Sequence, residues 1–329
     1  MTARPAHRLS ALAIMCVLAS HGLAPGADTG TVRFDPTDDD KFLVPDRYRM
    51  PARTFDYTLT PRYELRHTGI DVYDVTFPSP VKSGIPENDT VYAEYFVPKG
   101  SPGRLPAAIV LDILDGAALI ARGQAVWLAQ HGVPTLFIYM AHYGPRRPPG
   151  SKVRLLSTNI PQTLEAIRQT VLDCRLATAW LASRPEVDPG RLGLVGTSLG
   201  SLVGANVAAG EPHLRNVCLL LPGGGLVDAY YDHPKAKPYV PVVDLLGGKE
   251  ALKKMIAPAD PITYAPQLSR KNLLMIAASH DDVVPPSAAR ALWEATGKQR
   301  IVWVDSTHVG AGVYAIPVLK AVTAHVKGE

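Results

Sequence analysis

Hydrophobic and polar positions change their rhythm about a third of the way along this 329-residue chain. Between Tyr63 and Val97 the segments YELRHTGIDVYDVTF and TVYAEYFV alternate β-forming and polar residues, and the turn-rich PSPVKSGIPEND separates them. That period of two predicts antiparallel strands at one edge of a sheet. Residues 28–62, acidic at DPTDDD and broken by prolines, read as an extended lead-in. After Pro106 the strands become nearly continuous apolar runs: Ala107–Leu111, Val133–Tyr139, Arg191–Val195, Val217–Leu221, Leu273–Ala277 and Ile301–Val304. Helical patterns fall between them. Leu119–His131 stops at Gly132. Residues 159–183 carry Leu164, Ile167, Val171, Leu172, Leu176, Ala179 and Trp180 at steps of three and four. Ser198–Ala209, about 286–296 and about 309–326 complete the set. Apolar strands alternating with helices predict a mostly parallel sheet with helices on both faces. The stretch 223–266, rich in Gly, Pro, Tyr and Lys, breaks the alternation. It is too long for an ordinary connection, so it reads as a lid inserted over a site rather than a second domain.

Composition narrows the class. Hydrophobic residues make up 47% of the chain and charged residues 19%, enough apolar content for a sizeable core. Residues 1–27 read as a secretory signal peptide, with Arg4 and Arg8 at its basic start and the apolar run Leu9–Ser20. That run is shorter than the ~20 residues a spanning helix needs; small residues follow at Ala24, Gly26 and Ala27. An uncleaved N-terminal anchor is the alternative. The expectation is a secreted or periplasmic protein with no integral membrane segment after cleavage. Cleavage would reduce the formal charge of +4 to about +2, and no clustered basic face points to nucleic acid. Cys174 and Cys218 are expected as buried free thiols rather than a bridge, and no CxxC or His/Cys cluster suggests a metal. The oligomeric state is not legible.

The chemistry gathers around Gly196-Thr197-Ser198-Leu199-Gly200. This G-x-S-x-G follows an apolar strand and opens a helix of small residues, the context of a nucleophile elbow. The turn strains the serine backbone, so its neighbours must be small, as Gly196, Gly200 and Gly204 are. A serine hydroxyl needs a base to take its proton. An acid follows the strand Leu273–Ala277, at Asp281 or Asp282, and His308 lies in the loop after Ile301–Val304. His280 is the rival base but adjoins the acid. His67, His131, His142, His213 and His325 miss the expected loop. An oxyanion needs two donors. Leu199 N–H is one; the loop Asp112–Gly116 supplies the other, from Leu114 or Ile113.

With these residues in place the chain resembles the α/β-hydrolases, in the dienelactone-hydrolase-like and acetyl-xylan-esterase-like branches. The resemblance covers residues 63–329 and rests on the run Ala182–Gly200 into the elbow and on the Asp281 and His308 segments. It favours Asp281, through the D-x-x-V-P spacing, over Asp282. It implies Ser198, Asp281 and His308 as catalytic, an acyl-enzyme mechanism, no cofactor, and a small-molecule or carbohydrate ester as substrate. The chain departs from it in lacking the His-Gly pair of many relatives at the Asp112 loop. Tyr143, Arg146 and Arg147 follow a core strand and suit an acidic or sugar-like substrate near the site mouth; a solvated loop is the alternative. Gly223–Gly225 reads as a turn into the lid, with Tyr230, Tyr231 and His233 as pocket-lining residues. A serine peptidase of the same fold and a non-catalytic binding protein on the same scaffold are the competing functions.

Overall fold

The computed structural model describes residues 26–100, 103–114, 117–231, 233–234, 236–245 and 247–329. The signal-peptide reading therefore falls almost wholly outside the described residues, as do Asp115 and Gly116 of the loop after the first core strand.

Ten strands form one sheet in the order β1-β2-β3-β4-β6-β5-β7-β8-β9-β10. They are β1 (Asp28–Phe34), β2 (Arg53–Leu65), β3 (Ile70–Pro78), β4 (Thr90–Pro98), β5 (Leu105–Leu111), β6 (Thr135–Ile138), β7 (Val187–Thr197), β8 (Leu214–Leu220), β9 (Asn272–Ala278) and β10 (Arg300–Val304). β1 to β4 pair antiparallel, and β4 also meets β6 antiparallel. β6, β5, β7, β8, β9 and β10 run parallel. The helices are α1 (Asp40–Leu43), α2 (Leu119–Gln130), α3 (Ile160–Ala182), α4 (Leu199–Gly210), α5 (Leu226–Tyr231), α6 (Val240–Leu245), α7 (Gly248–Ile256), α8 (Ala265–Leu268), α9 (Pro286–Ala295) and α10 (Ala315–Lys327). Among the described residues no helix is long and apolar enough to cross a membrane.

The apolar runs are buried because both faces of the parallel strands are covered. One core joins alternate residues of the sheet, such as Ile109, Leu194 and Met275, to α3 and α4 through Trp180, Leu176 and Val203. The other joins the opposite face, at Val110, Val195 and Ile276, to α2 and α10 through Leu128, Val322 and Val326. α3 starts where the Asn159 side chain accepts from the Gln162 amide at 3.2 Å, with Pro161 in the first turn. α4 is nearly all small residues and is buried along its length, which lets it lie close on the sheet. Cys174 and Cys218 are buried free thiols in separate cores, and burial pushes both upward in pKa.

The reading of residues 28–62 as a lead-in requires correction. They include β1 and most of β2, in the same sheet, with α1 between them. The missed signal is the alternation in TVRF and RTFDYTL, whose inward residues Val32, Phe34, Phe55 and Tyr57 are buried. The acidic run is anchored too. Asp40 is buried against Arg175 of α3, which also donates to Tyr48 O at 2.7 Å and pairs with Glu211 at 3.3 Å.

Candidate active site

β7 ends at Thr197, and Ser198 turns the chain into α4 with φ 54° and ψ −115°. A non-glycine residue there is strained, by ~1–3 kcal/mol, and must be held by its surroundings. Two contacts hold it. The Ser198 amide donates to Leu220 O of β8 at 2.8 Å, and Ser198 O accepts from Ser201 N at 2.9 Å. The glycines on either side are needed for space. A Cβ on Gly196 would stand 2.2 Å from Gly200 O, and one on Gly200 would stand 2.4 Å from Leu111 O. The elbow is thus pressed against the end of β5.

The next two side chains arrive from the following strands of the same sheet edge. His308 follows β10, and its Nε2 lies 2.9 Å from Ser198 Oγ. Asp281 follows β9, and its Oδ2 lies 2.7 Å from His308 Nδ1. Carboxylate oxygens only accept here, so Nδ1 carries the imidazole proton and Nε2 faces the hydroxyl as an acceptor. Asp281 is buried and held by two amides, Val283 N at 2.8 Å and Val284 N at 2.7 Å. Asp282, the alternative acid, is exposed. His280, the alternative base, is exposed and bonds to Asp305 at 2.9 Å.

Leu199 opens α4, so its amide is one of those without an acceptor inside the helix. Leu114 lies two residues beyond Asp112, whose carbonyl the Gly200 backbone meets so closely that a Cβ on Gly200 would be 2.5 Å away. The Asp112 carboxylate turns from the elbow toward α2. It accepts from Ala118 N at 3.1 Å and Ala121 N at 3.3 Å, and burial raises its pKa.

Two residues expected to meet substrate are placed elsewhere. Arg146 is fully buried, 2.8 Å from Asp173 of α3, and donates to Asn88 O at 2.7 Å and Tyr139 O at 3.1 Å. Tyr143 is buried in the core beneath the same loop. Their reading as substrate-binding is corrected: the chain turns back into the fold at His142, with φ 62°, instead of projecting outward. Its partner, Asp173, comes from the middle of α3, and no local pattern around Arg146 announces it. Arg147, by contrast, is half-buried and lines a depression of about 440 Å³ with Lys152 and Arg154.

Sequence reasoning missed three supporting contacts. Gln124 of α2 donates to Thr197 Oγ1 at 2.9 Å, bracing the residue before the serine. The Tyr230 hydroxyl of α5 donates to Val283 O beside the acid, and burial pushes the phenol up to about 12. Asp260 accepts from Gly225 N at 2.9 Å and Leu226 N at 2.8 Å, joining the two ends of the insertion. Among the described residues no group of three His, Cys, Asp or Glu side chains is placed to hold a metal ion.

No family model matches the chain. Uncharacterized proteins from two strains of Mycobacterium tuberculosis are 29% identical to it over 143 residues, 43% of this chain and 33% of theirs. The chain thus spans about a third of the length of the curated relatives it matches. Solved structures match much more of it. An acetyl xylan esterase from Paenibacillus has a TM-score of 0.67 at 20% identity, over 88% of this chain and 92% of that one. An acetyl xylan esterase from Thermoanaerobacterium has a TM-score of 0.58 at 21% identity, over 81% and 87%. A dienelactone hydrolase assigned in Klebsiella pneumoniae has a TM-score of 0.52 at 18% identity, over 78% and 98%. The strand order, the strained serine at the end of β7 and these structural neighbours establish that the chain has the α/β-hydrolase fold.

Proposed function

We propose that the protein is a serine hydrolase that cleaves carboxylic esters through an acyl-enzyme. The observation that carries this reading is the unbroken line from Ser198 Oγ through both His308 nitrogens to Asp281, with contacts of 2.9 and 2.7 Å. In the first half-reaction His308 Nε2 takes the hydroxyl proton as Ser198 Oγ attacks the ester carbonyl. Asp281 keeps the ring oriented and stabilises the imidazolium. The carbonyl oxygen gathers negative charge, which the Leu199 and Leu114 amides would receive at the N-terminus of α4. His308 then protonates the leaving alcohol. Water repeats the sequence on the acyl-enzyme, releasing the acid and restoring the serine.

The names of the structural neighbours agree with an ester bond as the target, in a small-molecule or carbohydrate ester. The insertion 223–266 serves as the lid, docked to the acid loop through Tyr230. The apolar N-terminal segment directs the enzyme out of the cytoplasm. A fluorophosphonate probe together with p-nitrophenyl acetate and amino-acid arylamides tests the reading. The wild-type chain should label at Ser198, hydrolyse the acetate and leave the arylamides intact. Absence of both labelling and ester turnover would refute it, and faster arylamide cleavage would make the enzyme a peptidase.

A further inference from the structure

Among the described residues, several large hydrophobic side chains left in water lie in or beside the loops of the proposed reaction. Val309, next to His308, is 85% exposed; Val313, a turn further on, is 87% exposed; Ile316, at the start of α10, is 53% exposed. Leu114, in the oxyanion loop, is 50% exposed, and Leu119, the first residue of α2, is 61% exposed. These residues come from two separate parts of the chain, each ending in a helix of the same neighbouring pair. α2 and α10 lie side by side, since Trp127 Nε1 donates to Thr323 Oγ1 at 3.1 Å. Both helices follow parallel strands, so both begin at the edge that carries Ser198. Counting back from that bond, Leu119 and Ile316 lie about 12 and 10 Å along their helices, at the same level.

The patch is apolar in sequence as well as in surface. From Ser306 to Leu319 there is no Asp, Glu, Lys or Arg. A helix start that faced only solvent would carry polar or charged side chains at such positions, and exposed apolar side chains gathered at the starts of two packed helices suit a contact surface. Its position names the occupant. Val309 adjoins the base and Leu114 belongs to the loop of the proposed oxyanion donor, and the molecule that must come to those loops in every turnover is the ester.

We infer that this collar binds an extended acyl chain, so that the enzyme acts on esters of medium- and long-chain fatty acids in preference to acetates. The inference rests on the hydrolase reading above and specifies its substrate. Each methylene laid on the collar removes apolar area from water from both surfaces, which full burial would turn into about fourfold in affinity.

The test uses the full chain and soluble p-nitrophenyl acetate, butyrate and octanoate. For the wild type, kcat/KM is expected to rise at least about tenfold from acetate to octanoate, with contact made along one side of the chain. The double variant Val313→Asn, Ile316→Asn should lower the octanoate-to-acetate ratio about tenfold. Circular dichroism should show its fold unchanged, because both residues are largely exposed and surface changes perturb stability little. A wild-type profile that is flat or falls with chain length overturns the inference. So does an unchanged ratio in the double variant; if gel filtration then shows a change of oligomeric state, the patch is a contact between copies of this chain. Labelling of Ser198 with acetate turnover but no chain-length gain sinks the acyl-chain assignment alone. Absence of both labelling and turnover removes the hydrolase reading and this inference with it.

Discussion

Ser198 is the residue on which strain, spacing and chemistry converge. Its backbone sits at positive φ, and the flanking glycines have no room for a side chain. Ser198→Ala should cut kcat/KM by at least about a thousandfold while far-UV circular dichroism and thermal unfolding stay as in the wild type. Persistence of turnover in that variant would end the nucleophile assignment. The two neighbouring aspartates separate in the same assay. Asp281→Asn should reduce kcat by about ten-thousandfold, because it leaves the imidazole in the wrong tautomer. Asp282→Asn, on an exposed side chain, should change it by less than about threefold. Gly200→Ala tests the packing itself. With its Cβ 2.4 Å from Leu111 O, the turn has to shift, and both urea stability and probe labelling should fall.

At the scale of elements, the loop after β6 is fastened by the ion pair of Arg146 with Asp173 on α3. Removing one partner of a fully buried pair strands the other, at a cost of about 3–5 kcal/mol. Arg146→Met should therefore lower the urea midpoint sharply. The kcat/KM of the molecules that remain folded should be near wild type, and a selective rise in KM with unchanged stability would restore a substrate role. The insertion is closed at its base by Asp260. Asp260→Ala frees the Gly225 and Leu226 amides, and limited proteolysis should then cut within α5 to α7 faster than in the wild type. This loop and this base were not legible as such in the sequence. A cation in a Pro- and Gly-rich loop reads as a substrate or solvent contact until α3 brings an aspartate to it from a distant part of the chain. Asp260 pairs with amides more than thirty residues away.

At the scale of the whole molecule, the N-terminal segment, α3 and the loop after α4 meet in one buried charge network. Burial alone would raise Glu211, but the His213 hydrogen bond and Arg175 outweigh it and hold the carboxyl below its usual range. His213 is raised, chiefly by its hydrogen bond to Glu211. A depressed carboxyl contributes stability that is lost as pH falls through its folded value. A raised histidine contributes stability that is lost as pH rises through its own. The pair therefore stabilises most between the ordinary ranges of a glutamate and a histidine. In His213→Gln the alkaline part of this loss should disappear from a plot of unfolding free energy against pH, while the acidic limb, which also draws on Arg175, persists. An unchanged alkaline limb would mean the pair is not coupled to folding.

The division between sequence and structure follows the range of the interactions. Short-range pattern was enough for the parallel strands, the helices between them and the glycine-bounded serine. Burial on both faces writes an apolar run, a helix writes its period, and a strained turn admits only small neighbours. The order of Ser198, the acid pair and His308 along the chain was also readable, since each follows its own strand. Tertiary structure alone brought the serine, histidine and aspartate within hydrogen-bond distance, put Asp281 and not Asp282 against the ring, and drew residues 28–34 and 53–62 into the sheet. It also took Arg146 inward and left Val309 and Val313 outward. Those outcomes depend on which distant group arrives opposite each side chain, and no local periodicity carries that information.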